Sequence, residues 1–427
     1  MYYLYLFFLI MFLGFFKLPM LGGIIDFLYF VLFVNSIFRY IKIRKTLNPN
    51  FVRISEVMIV LFFFYYSYCI LSAPMYLSTI KLLNLRAVYP VGFYFMTIAH
   101  LNSTERINKC VRVFVIACIA GGIMTILQSL YGNTPMLDPE SFYNIGHWEG
   151  QMSMIGSISR VMLPVIYSIY ILFIAMIFYY VLTKNTNVVG LLIFLLIPIF
   201  ISFGRTLWGT TVISIILGIL LLILNKAIKT TKMIKTAIII FATVAIGIAL
   251  LPYIAPDLGE SVFNRFSLTF EDVENKSGTL EMRLESSAAA LLLWSESIWT
   301  GVDPFLMDRE DMPELSDVGY TFVLVSIGLM GALIIILIWI TQMILSVIML
   351  KKAVLLKNDQ MILFSVILFS SVIFWVISQQ YLQYNFTLTL TFFIYGLAIT
   401  VYNIENHSDK LDIESEECST ENATSAS

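Results

Sequence analysis

The stretch from Met282 to Gly331 reads MRLESSAAALLLWSESIWTGVDPFLMDREDMPELSDVGYTFVLVSIGLMG. It opens on Arg283 and an amphipathic segment, turns at Gly301, Val302, Asp303 and Pro304, and continues as a polar loop. After Asp317, Val318, Gly319 and Tyr320 it enters a long apolar run that carries Gly328 and Gly331. Irregular backbone exposed to hydrocarbon would leave its amides without partners, so a polar loop of this length belongs outside a bilayer. The apolar run after it belongs inside one. The stretch therefore predicts an all-α membrane protein whose largest polar excursion is this loop.

Composition agrees. Of 427 residues, 59% are apolar and 13% are charged, about half the charged share of a soluble domain. Aromatics make up 15%, which suits interfacial belts of Tyr and Trp. Cys69, Cys110, Cys118 and Cys418 show no metal-ligand spacing and offer the polar loops no disulfide framework. The N-terminus lacks the basic start and the small-residue cleavage site of a signal peptide, so it reads as a retained first helix.

Apolar runs of bilayer-spanning length predict about 12 transmembrane helices, near 2–16, 19–38, 54–72, 85–101, 110–128, 161–182, 188–204, 206–224, 236–252, 318–350, 360–378 and 385–403. If they alternate, sixteen of the 26 basic residues fall on one side, from Arg39 and Lys42 through Lys226 and Lys235 to Lys351 and Lys357. By the positive-inside bias that side is the cytoplasm, and both termini lie there. One transmembrane domain, 1–403, is then followed by a tail, 404–427, that is acidic, rich in Ser and Thr, and reads as disordered.

Two loops on the other side are substantial, about 129–160 and 253–317. The second, between helices 9 and 10, holds fourteen acids against four bases. Within it 279–299 reads as a helix, with Leu280, Leu284, Ala288, Leu291, Ser295 and Ile298 on one stripe and Gly301 as the stop. Such a helix could lie in the interface with its stripe against lipid. A loop helix packed on the bundle fits the pattern equally well.

On an acidic surface the few arginines are informative. Arg160, Arg205, Arg265 and Arg283 all fall on the outer side. A guanidinium is a fork that binds phosphate oxygens two at a time and keeps its proton. Several converging on one pocket would hold a diphosphate; the plainer alternative is that each snorkels or pairs with a nearby acid. His147 and Glu149, in GHWEGQ, are candidate sugar or acceptor contacts, as are Asp303 and Tyr320. Asp303, Asp308, Glu310 and Asp311 lack the fixed spacing of a cation loop and read as a solvated acidic surface. The chain shows no phosphate-cradling glycine loop, Ser-His-Asp set or zinc motif, and neither a metal nor a cofactor is expected.

These residues together resemble the O-antigen ligase and polysaccharide polymerase superfamily, the Wzy-type membrane glycosyltransferases. Four features over roughly 150–335 carry the resemblance. Arg160 stands in SISRVMLP ahead of a middle helix, and FGRTLWG at 203–209 is similar to the family's Ser-Arg-Thr-like join. Arg283 followed by Thr300, Gly301, Val302, Asp303 and Pro304 resembles its Arg and glycine-proline pattern. Asp317 and Val318, then nine residues, then Gly328 and Gly331 match the spacing of the ligases' His-Asn and Gly-x-x-Gly. Where ligases carry His this chain has Asp317, and Asp303 takes the place of a glycine. The first departure points to the polymerases, which often read Asp-x-Gly-Tyr there. The resemblance implies a multi-pass enzyme of the bacterial cytoplasmic membrane that polymerises undecaprenyl-diphosphate-linked oligosaccharides on the outer face. It also implies Asp317 as base, the four arginines on the diphosphate, a chain-length regulator as partner, and no nucleic acid. A ligase-type transferase and a lipid-linked oligosaccharide flippase are the alternatives. A flippase would commonly show an internal repeat and paired broken helices, and neither is legible in the chain.

The last expectation concerns the run after Tyr320. Gly328 and Gly331, three apart, read as one face of a continuous helix, open to close backbone approach.

Overall fold

The computed structural model describes residues 2–4, 6–7, 19–44, 49–72, 88–131, 154–155, 158–159, 165–202, 204–228, 253, 279–302, 319–378 and 387–404. In chain order its helices are α1 Pro19–Ile43, α2 Pro49–Ser72, α3 Val88–His100, α4 Thr104–Tyr131, α5 Val165–Thr183, α6 Asn187–Ile201 and α7 Arg205–Leu224. There follow α8 Thr279–Ser295, α9 Gly319–Leu356, α10 Asp359–Ser378 and α11 Thr387–Ile404. A two-residue antiparallel pair, β1 Met154–Ile155 and β2 Ile158–Ser159, precedes α5. Among the described residues six helices (α4, α5, α7, α9, α10 and α11) are long and apolar enough to cross a membrane. The chain is a helical membrane protein. The expected spans 236–252 and most of 2–16 lie outside the described residues, as do the tail beyond 404 and most of both outer loops.

The bundle has α10 and α11 near its centre. α10 packs against α9, α7 and α5, while α9 also packs against α2 and α8. α11 is almost wholly enclosed, its Phe392, Phe393 and Tyr395 ringed by Phe62, Phe93, Phe114 and Tyr94. Aromatic side chains also fill the seam between α5 and α10, where Tyr167 meets Trp375 at 6.1 Å and Tyr170 meets Phe374 at 5.8 Å between ring centroids. Lipid tails are as apolar as these side chains, so the seam is held by close packing rather than by escape from water.

One end of the bundle is basic. Arg44 makes a two-pronged contact with Glu56, with Nη2 at 2.7 Å, and Tyr40 donates to the same carboxylate. Arg39 and Arg106 both approach His100, one at the ring and one at its backbone carbonyl, while Ser36 meets the ring's Nε2 at 3.0 Å. Three lysines mark helix ends of the same polarity. Lys184, Lys226 and Lys357 follow α5, α7 and α9 in the left-handed conformation, at φ 57°, 56° and 54°. At α7 and α9 the chain closes a Schellman motif, with Ala227 N–H on the Leu222 carbonyl and Asn358 N–H on the Ala353 carbonyl. Glycine is usual at this position. A lysine there costs about 1–2 kcal/mol of backbone strain, offset in part by its charge at the negative end of the helix dipole.

Candidate functional site: a helix break sealed by the preceding loop

α9 is not one helix. Gly328 stands at φ 65°, ψ −173° within it, a region open essentially to glycine alone. The expectation of a continuous helix with Gly328 and Gly331 on one face is therefore corrected: Gly328 is the break, and Gly331 sits in the helix after it. A break inside an apolar helix frees amides and carbonyls that have no water to turn to. Here the chain just after α8 supplies them. In an unbroken helix Leu329 N–H would donate to the Val325 carbonyl, four residues back. Instead Leu329 N–H donates to Ile298 at 2.9 Å and Met330 N–H to Trp299 at 3.2 Å, while the Val325 carbonyl accepts from Val302 N–H at 2.6 Å.

The approach of backbone to backbone is why both partners are glycines. Gly301 has φ +74°, and a Cβ on it would lie 2.6 Å from the Gly328 nitrogen and 2.7 Å from that of Ile327. A Cβ on Gly328 would overlap the Trp299 carbonyl and the Gly301 nitrogen. α2 completes the junction. The Tyr65 hydroxyl lies 3.0 Å from the Trp299 carbonyl and 2.9 Å from that of Ile327, with the Gly331 amide against the same oxygen. It thus stands where a helical bond between Gly331 and Ile327 would have been. Cys69, one turn along, reaches the Thr300 carbonyl at 3.6 Å. Below the turn, Ala290 of α8 packs on Val325 beside Leu293, Trp294 and Val302.

Among the described residues the junction carries no carboxylate, imidazole or cation. Val302 is bonded at Val325 and the chain re-enters at Gly319, anchor points about 9 Å apart along a helical rise. Between them run residues 303–318, with Asp303 two positions after Gly301 and Asp317 two before Gly319. Both carboxylates lie outside the described residues, as do Arg160, Arg265, His147 and Glu149.

Of the remaining candidates, Arg205 is the first residue of α7, after a tight join braced by Trp208 and Ser202. Trp208 Nε1 donates to the Ile199 carbonyl at 2.9 Å, and the Ser202 hydroxyl donates to the same carbonyl at 2.7 Å. A cation in a first turn opposes the helix dipole, so this position is not explained by helix stability. Tyr320, in the first turn of α9, donates its hydroxyl to the Val376 carbonyl of α10. Ser370 of α10 donates to the Ser214 carbonyl of α7 at 3.2 Å. Counting from that contact along the two antiparallel helices brings the start of α7 level with the end of α10, within about 5 Å of the height of Val376. Arg205 and Tyr320 thus share one end of α10. Arg283 lies within α8, on the chain that leads directly into the junction.

Sequence reasoning missed Tyr65 and Cys69, which in LFFFYYSYCIL look like any aromatic lipid-facing run. It also missed the hairpin at 154–159 just before Arg160, although Gly156 and Ser157 between two isoleucines are a short-turn signal. β2 packs against α4. The helix after it is described from Val165 on, and 161–164 of the expected span lie outside the described residues.

Tyr65→Phe tests the seal without touching glycine. Removing the hydroxyl leaves two carbonyls with one partner fewer, worth about 1–3 kcal/mol. The thermal midpoint of the detergent-purified protein is expected to fall by a few degrees, with the fold retained; an unchanged midpoint would mean that the hydroxyl contributes nothing to the junction. No protein-family model and no curated protein matches the chain.

Proposed function

We propose that this protein is a polymerase of undecaprenyl-diphosphate-linked oligosaccharide repeat units, working at the outer face of a bacterial cytoplasmic membrane. The supporting observation is the Gly301–Gly328 junction. The family-like motifs at 300–304 and 328–331 meet there through Gly301 and Gly328, whose backbones lie in close approach, while Leu329 and Met330 N–H donate to Ile298 and Trp299 and Val302 N–H to Val325 on either side. In this proposal twelve helices cross the membrane, both termini are cytoplasmic, and the junction and the start of α7 face outward.

The chemistry follows from the residue types. An acceptor hydroxyl of one repeat unit attacks the anomeric carbon of the sugar bound to diphosphate. The new glycosidic bond forms as the bond from that carbon to the phosphate oxygen breaks, and undecaprenyl diphosphate departs. Asp317 takes the hydroxyl proton. Arg205, Arg265, Arg283 and Arg160 hold the diphosphate and the charge that grows on it. Arg205 suits this role because the α7 N-terminus adds its own unpaired amides to the guanidinium, and both favour an anion. His147, Glu149, Asp303 and Tyr320 line the path of sugar and acceptor. A chain-length regulator is a further proposed partner.

The surface-glycan ladder of a strain lacking the gene tests the proposal. Collapse to a single repeat unit on the acceptor is expected. Loss of every unit from the acceptor would indicate a ligase, and loss with units retained on the cytoplasmic face a flippase. In the complemented strain Arg205→Lys keeps the charge but not the fork, so the ladder should shorten sharply at normal expression. A ladder of ordinary length would remove Arg205 from the diphosphate.

A further inference from the structure

The helix before the junction presents three different sides. At about 100° per residue, Ser286, Ala290 and Leu293 share the side turned to α9, and Ala290 is buried there. The small residues on that side allow the helices to approach closely. Ser287, Ala289 and Trp294 are half-buried, and the exposed described residues fall in two adjoining sectors. One sector holds Leu284, Ala288 and Leu291, and Ile298 continues it beyond the helix end; the adjoining sector holds Glu281 and Glu285 with Leu292 between them, and Glu296 continues it. Leu284, Leu291 and Leu292 are exposed at 55%, 43% and 72%, a load of bare leucine that a loop helix in water would not carry.

The apolar sector has a continuation. Ile298 and Trp299 are bonded through their carbonyls to Leu329 and Met330, and Trp299 and Met330 are exposed, at 61% and 45%. From Met330 an exposed apolar stripe runs down α9 through Leu333, Leu337, Ile340 and Ile344. Lys351 and Lys352 end it. Met330 to Lys351 spans about 31 Å of helix, close to the roughly 30 Å hydrocarbon core of a bilayer. With the lysines at one surface, Met330 and the junction fall at the other. Trp299 then sits where an indole is favoured, between headgroup and acyl chain.

We infer that α8 is an interfacial helix, seated in the leaflet at the junction end of α9. Its Leu284, Ala288 and Leu291 sector rests in the acyl chains, and its glutamates face water. The inference rests on packing and exposure and is independent of the polymerase proposal. Its consequence is positional: the helix holds Val302 at headgroup height, where a lipid-linked substrate presents its phosphates.

The test uses the full-length chain, with its four cysteines replaced by Ser, in vesicles of phosphatidylcholine and phosphatidylglycerol. Spin labels are attached in separate variants at Leu291→Cys, Leu284→Cys and Glu285→Cys. Collisions with oxygen, which partitions into lipid, are compared with collisions with a water-soluble nickel chelate. The oxygen-to-nickel ratio is expected to be several-fold higher at Leu284 and Leu291 than at Glu285. Equal, nickel-dominated ratios at all three would place the helix in water and overturn the inference. Labels at Leu284 and Leu291 that are immobilised and shielded from both reagents would also overturn it, because a second protein surface would then cover the sector.

Discussion

Gly328→Ala is expected to destabilise the protein and abolish the polymer ladder together. The φ of 65° with ψ near 180° costs an L-residue about 1–3 kcal/mol. The added Cβ would also overlap backbone atoms of Trp299 and Gly301, which cannot swing aside as a side-chain tip could. The junction must part, and each of the Leu329, Met330 and Val302 bonds that opens costs about 1–3 kcal/mol where its donor or acceptor finds no other partner. A total of order 5 kcal/mol lies in the range where single substitutions unfold marginal proteins. Low accumulation, or a thermal midpoint far below wild type, is the expected readout. Gly190→Ala is the control, since a Cβ there meets nothing within 4 Å. If Gly328→Ala behaves like Gly190→Ala, the sealed break is not part of the folded protein.

Asp317→Asn should act in the opposite manner, with activity lost and structure kept. Asp317 precedes the first residue of α9 by two positions, where a carboxylate could equally cap the helix, worth about 1 kcal/mol. Asparagine caps as well as aspartate but takes no proton. A general base contributes roughly 10²–10⁴ in rate, so a loss of that size at normal expression and an unchanged thermal midpoint identifies the base. A near-normal ladder would reduce Asp317 to a cap and move the search to Glu149, His147 or Asp303.

The helices were legible because lipid demands long apolar runs, and every run lying in the described residues is a helix. The break in α9 was not legible. Gly328 lies in VSIGLMGAL, and a glycine in an apolar run looks the same whether it packs or breaks. The difference lies in Gly301, Trp299 and Tyr65, which meet it only after folding. α9 also runs six residues past its expected end, because Lys351, Lys352, Ala353 and the leucines after them are good helix formers regardless of where the membrane stops. For α8 the stripe of Leu284, Ala288, Leu291 and Ile298 was visible, yet the side packed on α9 is the one with Ser286 and Ala290. An apolar stripe marks the protein core only when water is the alternative.

The most direct measurement reconstitutes the purified chain in vesicles with undecaprenyl-diphosphate-linked repeat units recovered from the deletion strain. Lipid-linked glycan should lengthen unit by unit, with one undecaprenyl diphosphate released per linkage. Arg205→Lys and Asp317→Asn should suppress both signals. Repeat units that stay single and release no undecaprenyl diphosphate, with wild-type protein that is folded and correctly inserted, would contradict the account.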